Sequence, residues 1–178
     1  MKTAVIIIDV QQALFEADEG PFEREEVIER INTLTSKARN LELPVIMVQH
    51  EREDTVVAYQ SAGWQLYSEL DTKPTDIIVR KQTPDSFHET DLADVLKNNS
   101  VTDLIVCGYA TEFCVDTTVR RAAALGYDVQ LVADAHTTHN KNHLNGGTIR
   151  EHHNATLPSV SSFSGNIEAV ETISIYFG

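Results

Sequence analysis

The sequence predicts a three-layer α/β/α fold built on a parallel β-sheet, and three observations carry that prediction. Several short segments are continuously apolar, without the alternation of a half-exposed strand, as suits parallel strands covered on both faces. Between them lie stretches whose apolar residues recur at helical spacing. Strand-like and helix-like segments alternate through most of the chain, the pattern of βα units.

Taken in order, Ala4–Ile8 reads as the first strand. After Pro21, the residues Val27, Ile28, Ile31, Leu34, Ala38 and Leu41 mark one face of a helix. Pro44–Val48 is the second strand. The stretch from Glu51 to Asp76, with Gly63 and Trp64 inside it, breaks the rhythm, and loops this long usually form pockets or carry function. Ile77–Val79 is the third strand, and Thr90-Asp91 opens a short helix towards Leu96. Leu104–Cys107 is the fourth strand. Val115, Val119, Ala122 and Ala123 then repeat the helical spacing up to Gly126, which is placed to end the helix. Val129–Ala133 is the fifth strand, and Ser159–Ser161 is read as a short sixth.

The 178 residues fit a single domain, residues 1–178, with no internal repeat, low-complexity tract or linker. A net charge of −13 repels phosphate backbones and anionic lipid, so a small-molecule substrate is expected rather than nucleic acid or membrane. Part of the acid excess lies between Glu16 and Arg30 and reads as a solvated helix face. No apolar run approaches the roughly 18–20 residues of a bilayer span. The start, Met1 to Val5, runs straight into Ile6-Ile7-Ile8-Asp9, too short an apolar stretch for a secretory signal, so a cytoplasmic location is expected. Two cysteines, Cys107 and Cys114, are too few for a thiol-rich zinc site and poorly spaced for a bridge, and each needs its own explanation.

Open parallel sheets bind ligands at the carboxyl ends of their strands. Asp9 follows the first strand, Gln49-His50 the second and Arg80-Lys81 the third. Gly108 to Cys114 follow the fourth, and Asp134-Ala135-His136 the fifth. Cys114 lies where a loop becomes a helix, a position that favours thiolate and should lower the thiol pKa below the roughly 8.5 of free cysteine. Its plain alternative is a small buried apolar residue. A carboxylate at Asp9, directly after apolar residues, is costly unless paired, though a capping acid would also fit. Lys81 at a strand end could equally be solvated. Should Lys81 meet Asp9 and Cys114, its charge would favour the thiolate while Asp9 exchanged a proton with the sulfur.

Ile6-Ile7-Ile8-Asp9-Val10-Gln11, then Arg80-Lys81, then Gly108-Tyr109-Ala110-Thr111-Glu112-Phe113-Cys114-Val115 resemble the isochorismatase-like hydrolase superfamily in order, spacing and context. The resemblance implies a six-stranded parallel sheet of order 3-2-1-4-5-6 and an Asp9-Lys81-Cys114 triad. It also implies a non-proline cis peptide at Tyr109–Ala110, whose role would be to aim the Ala110 amide, with that of Cys114, at a developing oxyanion. Relatives are often dimers or tetramers, so a homo-oligomer is expected. The activity implied is hydrolysis of a non-peptide C–N bond in a small carboxamide, ureide or N-carbamoyl compound through a Cys114 thioester, with no cofactor. Vinyl-ether hydrolysis of an isochorismate-like substrate is the nearest alternative, but members that do this lack the cysteine. A non-catalytic binding module of the same fold is another. Nicotinamidases of this family hold a metal through an Asp-x-His pair after the second strand. Here that region reads Gln49-His50-Glu51, so no metal is expected.

Phe15, Trp64, Tyr109 and Phe113 are candidates to wall a substrate pocket. Asp134, His136 and His139 are better read as a polar loop after the fifth strand than as a metal site. His152-His153 falls in a helix and reads as surface or packing, and Cys107 as core. No Gly-x-Gly-x-x-Gly, Walker-type loop or Gly-x-Ser-x-Gly is present, which removes nucleotide binding and serine hydrolysis.

Overall fold

In a computed structural model of the chain, residues 2–16 and 19–178 are described. Met1 and two members of the acid-rich run, Ala17 and Asp18, lie outside the described residues. Six parallel strands form one sheet: β1 (Thr3–Ile8), β2 (Val45–His50), β3 (Ile77–Lys81), β4 (Asp103–Tyr109), β5 (Asp128–Thr137) and β6 (Ile167–Val170). Their order is β3-β2-β1-β4-β5-β6, so the chain reverses direction across the sheet between β1 and β4. β1 is buried at all six positions, which is why it reads as an unbroken apolar run.

The helices cover both faces. α2 (Arg24–Asn40) buries Val27, Ile28, Ile31, Leu34 and Ala38 against one face, where Val5, Ile7, Met47 and Ile105 also point. Leu41, expected on that stripe, is the C-cap residue and is exposed. α3 (Leu92–Asn98) and α4 (Asp116–Ala124) cover the other face with Leu92, Leu96, Val119, Ala122 and Ala123, against Ile6, Ile8, Val48 and Val79. A four-residue α1 (Gln12–Phe15) follows β1, and α5 (Gly146–Thr156) connects β5 to the edge of the sheet.

Two expectations need correction. The sixth strand is Ile167–Val170 and not Ser159–Ser161; the latter forms the end of a 3-10 turn over Leu157–Ser159 and its exit. Ile167 is buried and pairs with Val129, a core contact that the serine-rich segment has no side chain to make. The fifth strand runs on to Thr137, because an irregularity between Val106 and Gly108 brings Gly108 into register with His136. Asp134 and His136 therefore lie inside the sheet and not in a loop.

The segment from Glu51 to Asp76 folds back over the end of β1. Gln12 and Ala13 donate their amides to Gln65 and Gly63, and Tyr67 donates to Val10. Among the described residues, no helix is long and apolar enough to cross a membrane.

Candidate active site

The site begins at the close approach of β1 to β4. Gly108 has φ of +115°, and a Cβ there would lie 2.2 Å from the carbonyl oxygen of Ile8. Only glycine permits that contact, and it draws the exits of β1 and β4 together. Asp9 is next in the chain after Ile8. Strand alternation alone would send its side chain to the face of Ile7. Its left-handed backbone, φ 51°, ends the alternation, in a region that Asp tolerates better than most residues. The carboxylate turns to Lys81, with Nζ donating to Oδ2 at 2.7 Å.

Lys81 closes β3. It shares the sheet face of Val79, and the β2–β3 register sets it beside His50. Its side chain is fully buried and that of Asp9 is 2% exposed. A buried ammonium requires acceptors for its three protons. Besides Asp9, Nζ reaches the Cys114 sulfur at 3.3 Å and Nδ1 of His50 at 3.4 Å. The side-chain amide of Gln11 clamps the backbone of His50: Nε2 donates to the His50 carbonyl at 2.9 Å, and Oε1 accepts from the His50 amide at 2.8 Å.

Cys114 sits in a π-helical turn, Thr111–Val115, that leads into α4. π-turns widen the backbone and occur often at functional sites. The Tyr109–Ala110 peptide just before it is cis. The Ala110 carbonyl accepts the amides of Phe113 and Val115, passing over that of Cys114. A buried chain of side chains holds the turn from behind. Thr111 Oγ1 meets His136 Nδ1 at 2.8 Å, and His136 Nε2 meets Asn154 Oδ1 at 2.8 Å. Asn154 Nδ2 in turn donates to the Ala133 carbonyl at 2.9 Å.

Electrostatics corrects one expectation. The Cys114 thiol is pushed up to about 12, by burial first and then by the Asp9 charge, with Lys81 pulling the other way. Burial and the facing Asp9 carboxylate both disfavour a further negative charge on the sulfur. These surroundings favour the thiol over the thiolate at rest. Burial and the Lys81 charge lower His50, which favours the neutral ring, and in its Nε2–H tautomer Nδ1 can accept. Burial likewise lowers His136 to about 4. Cys107 is fully buried in β4 with its thiol facing the Ile6 carbonyl, as core.

The four aromatic candidates separate. Phe15 is fully buried between the rings of Tyr67 and Tyr109, at centroid distances of 5.5 and 5.8 Å, so it is core and not a pocket wall. Phe113 is 55% exposed and lines, with Leu144 and Ile149, a cavity of about 190 Å³ on the α5 side, and the sulfur is not among that cavity's walls. Tyr109 is partly buried, its hydroxyl 2.8 Å from His139 Nδ1. Trp64 is pinned over the exits of β1 and β2, its carbonyl taken by the side-chain amides of Gln11 at 2.8 Å and Gln49 at 2.9 Å. His152 and His153 lie in α5 with perpendicular rings and line the same cavity as Phe113. The contribution of Gln11, His50, Thr111 and Asn154 was not read from the sequence. The one available signal was the pairing of the second and third strands, which places His50 level with Lys81.

Residues 3–157 match the isochorismatase domain. The chain belongs to the isochorismatase family. It is 35% identical over 137 residues to a streptothricin hydrolase of Streptomyces noursei, a match covering 76% of this chain and 54% of that protein. The chain thus spans about half the length of that curated relative. A solved isochorismatase family protein superposes with a TM-score of 0.85 at 33% identity, covering 94% of this chain and 98% of the other. A cysteine hydrolase from Pseudomonas syringae pv. phaseolicola 1448A superposes at 0.84 with 25% identity, covering 94% and 88%. In an Asp-x-His pair ending at His50, the aspartate position is held by Val48, a core residue of β2. Gln49 precedes His50 and its amide donates to the Trp64 carbonyl, while the Lys81 ammonium lies 3.4 Å from His50 Nδ1. A cation would have to displace Lys81 to use that nitrogen.

Proposed function

We propose that this isochorismatase-family hydrolase is a cysteine hydrolase that cleaves a non-peptide C–N bond in a small carboxamide, ureide or N-carbamoyl compound. The observation that supports it most is the buried Lys81 ammonium, which bonds Asp9 at 2.7 Å and the Cys114 sulfur at 3.3 Å at once.

The roles follow from which atoms are already occupied. Lys81 takes Asp9 Oδ2, while the buried Oδ1 has no partner among the described residues and is the oxygen available as a base. As the Cys114 sulfur attacks the carbonyl carbon, its proton passes to Asp9 and the C–S bond forms. Lys81 offsets the charge on the sulfur while the proton is in transit. The carbonyl electrons move onto oxygen, and the Ala110 and Cys114 amides donate to that oxyanion. Collapse breaks the C–N bond, and Asp9 returns its proton to the departing amine. Water then loses a proton to Asp9 and attacks the thioester; the C–S bond breaks and the sulfur recovers the proton. No net charge is created at rest, which agrees with a thiol held up near 12.

An ammonia-release screen over primary carboxamides, ureides and N-carbamoyl amino acids, run beside Cys114→Ala, tests the proposal. Hydrolysis is expected in the wild type and lost in the variant, with hydroxylamine diverting the acyl group to a hydroxamate. Full turnover by Cys114→Ala would overturn thiol catalysis in favour of acid chemistry at Asp9 alone.

A further inference from the structure

Lys81 has three N–H bonds, a fully buried side chain, and three acceptors within reach. Two of those acceptors, Asp9 and Cys114, belong to the reaction proposed above. The third is His50, and without it the count of buried donors does not close. We infer that His50 is a positioning residue of this reaction, which takes the third proton of Lys81 and thereby fixes the direction of the two N–H bonds that reach Asp9 and the Cys114 sulfur.

The placement is built into the fold from two sides. His50 and Lys81 are register partners on adjacent parallel strands, so their side chains leave the same face of the sheet. The His50 backbone, at the last position of β2, is held by two hydrogen bonds from the amide of Gln11. Gln11 is itself fully buried, and its backbone amide donates to the Asp9 carbonyl at 3.0 Å. One side chain thus ties the turn that carries the base to the residue that steers the cation.

The chemistry of the contact is directional. An ammonium can donate to Nδ1 only when that nitrogen carries a lone pair, so the neutral ring must hold its proton on Nε2. The burial of His50 and the Lys81 charge favour that neutral form. A lysine ammonium is a compact charge on a flexible stem, and nothing in its own shape aims its protons. Three acceptors disposed around it do so. With one acceptor removed, the orphaned N–H would turn towards water in the cleft, and the bond to sulfur, the longer of the two used in the reaction, would be the one lost.

This inference rests on the proposed role of Lys81, and its test does not require the substrate. The second-order rate of Cys114 alkylation by iodoacetamide would be measured at one pH by peptide mass spectrometry, in the wild type, His50→Asn, His50→Leu and Lys81→Met. Asn places an oxygen acceptor where Nδ1 stands, whereas Leu fills the space without one. The Leu variant is expected to fall about tenfold, towards the rate of Lys81→Met, and the Asn variant to recover most of the loss. A purely steric role predicts that Leu and Asn both keep or exceed the wild-type rate, since each is shorter than the ring and opens the approach to sulfur. A Leu rate equal to the wild type, or an Asn rate as low as Leu, would overturn the inference. Nitrogen-15 spectra of the wild-type protein provide a check free of any folding defect: His50 is expected as the Nε2–H tautomer, and an Nδ1–H tautomer would overturn the inference. Should Cys114→Ala keep full turnover, the thiol-catalysis reading fails, whichever way the His50 rates fall.

Discussion

The hydroxyl of Thr111 donates to Nδ1 of His136, and the direction of that bond follows from the far end of the chain. Asn154 uses Nδ2 on the Ala133 carbonyl, so its Oδ1 accepts from His136 Nε2–H and leaves Nδ1 as the acceptor. Thr111→Val keeps the shape and leaves a buried lone pair unmet. The expected cost is about 1–3 kcal/mol in urea unfolding, with Cys114 alkylation altered because Thr111 opens the turn that carries it.

The same histidine sets a pH dependence of stability. Its folded pKa is lowered to about 4 from an ordinary value near 6.5, so between those values the unfolded chain binds the extra proton. His136 therefore adds to stability above pH 6.5, and that contribution is lost as pH falls to about 4. Urea midpoints of the wild type are expected to drop over this window, by up to roughly 3 kcal/mol from this group. The part of the slope due to His136 should vanish in His136→Leu, and identical slopes in both proteins would refute the assignment.

Cys114 is expected to alkylate ever faster with rising pH, by about tenfold per unit from pH 7 to 10, because its thiol is pushed up to about 12. A plateau near pH 8 would mean a preformed thiolate instead. At every pH the fully buried Cys107 should lag behind.

Lys81→Met should be destabilising as well as inactive. It strands the Asp9 carboxylate, 2% exposed, without its partner, a change worth about 3–5 kcal/mol for buried pairs. Adding Asp9→Asn should return part of that loss, and additive losses in the double variant would argue against a direct pair.

Turnover on a substrate found by the ammonia screen is expected to survive exhaustive chelation, given the ammonium at His50 Nδ1. Loss of activity restored by zinc or iron would contradict this.

Much of the fold was legible because buried parallel strands have an unmistakable apolar run; β1, with every position covered, could hardly be read otherwise. The sixth strand was misread because an edge strand of four residues, Ile-Glu-Ala-Val, has too few apolar positions to stand out. Asp9, Lys81 and Cys114 were legible through the order of motifs around them. His50, Gln11 and Asn154 were not, because their contacts depend on register and on side-chain amides bridging residues 39 and 21 positions apart. Phe15 and Cys114 show the limit of local reasoning about burial. An aromatic after a strand and a thiol at a helix start look accessible in the chain, and both are governed by what packs over them.

The separation of Asp9 from Lys81 by 72 residues, and of Lys81 from Cys114 by 33, has a consequence for the life of the chain before it is folded. A ribosome has released strand after strand before the three can meet, and β4 cannot dock until β1 is waiting for it. Until then the thiol has neither a base nor a cation beside it and behaves as an ordinary cysteine. The proposed Asp9, Lys81 and Cys114 set therefore exists only once the ends of β1, β3 and β4 have come together, and assembly changes the thiol from an ordinary, solvent-facing cysteine into one held by burial in its protonated form.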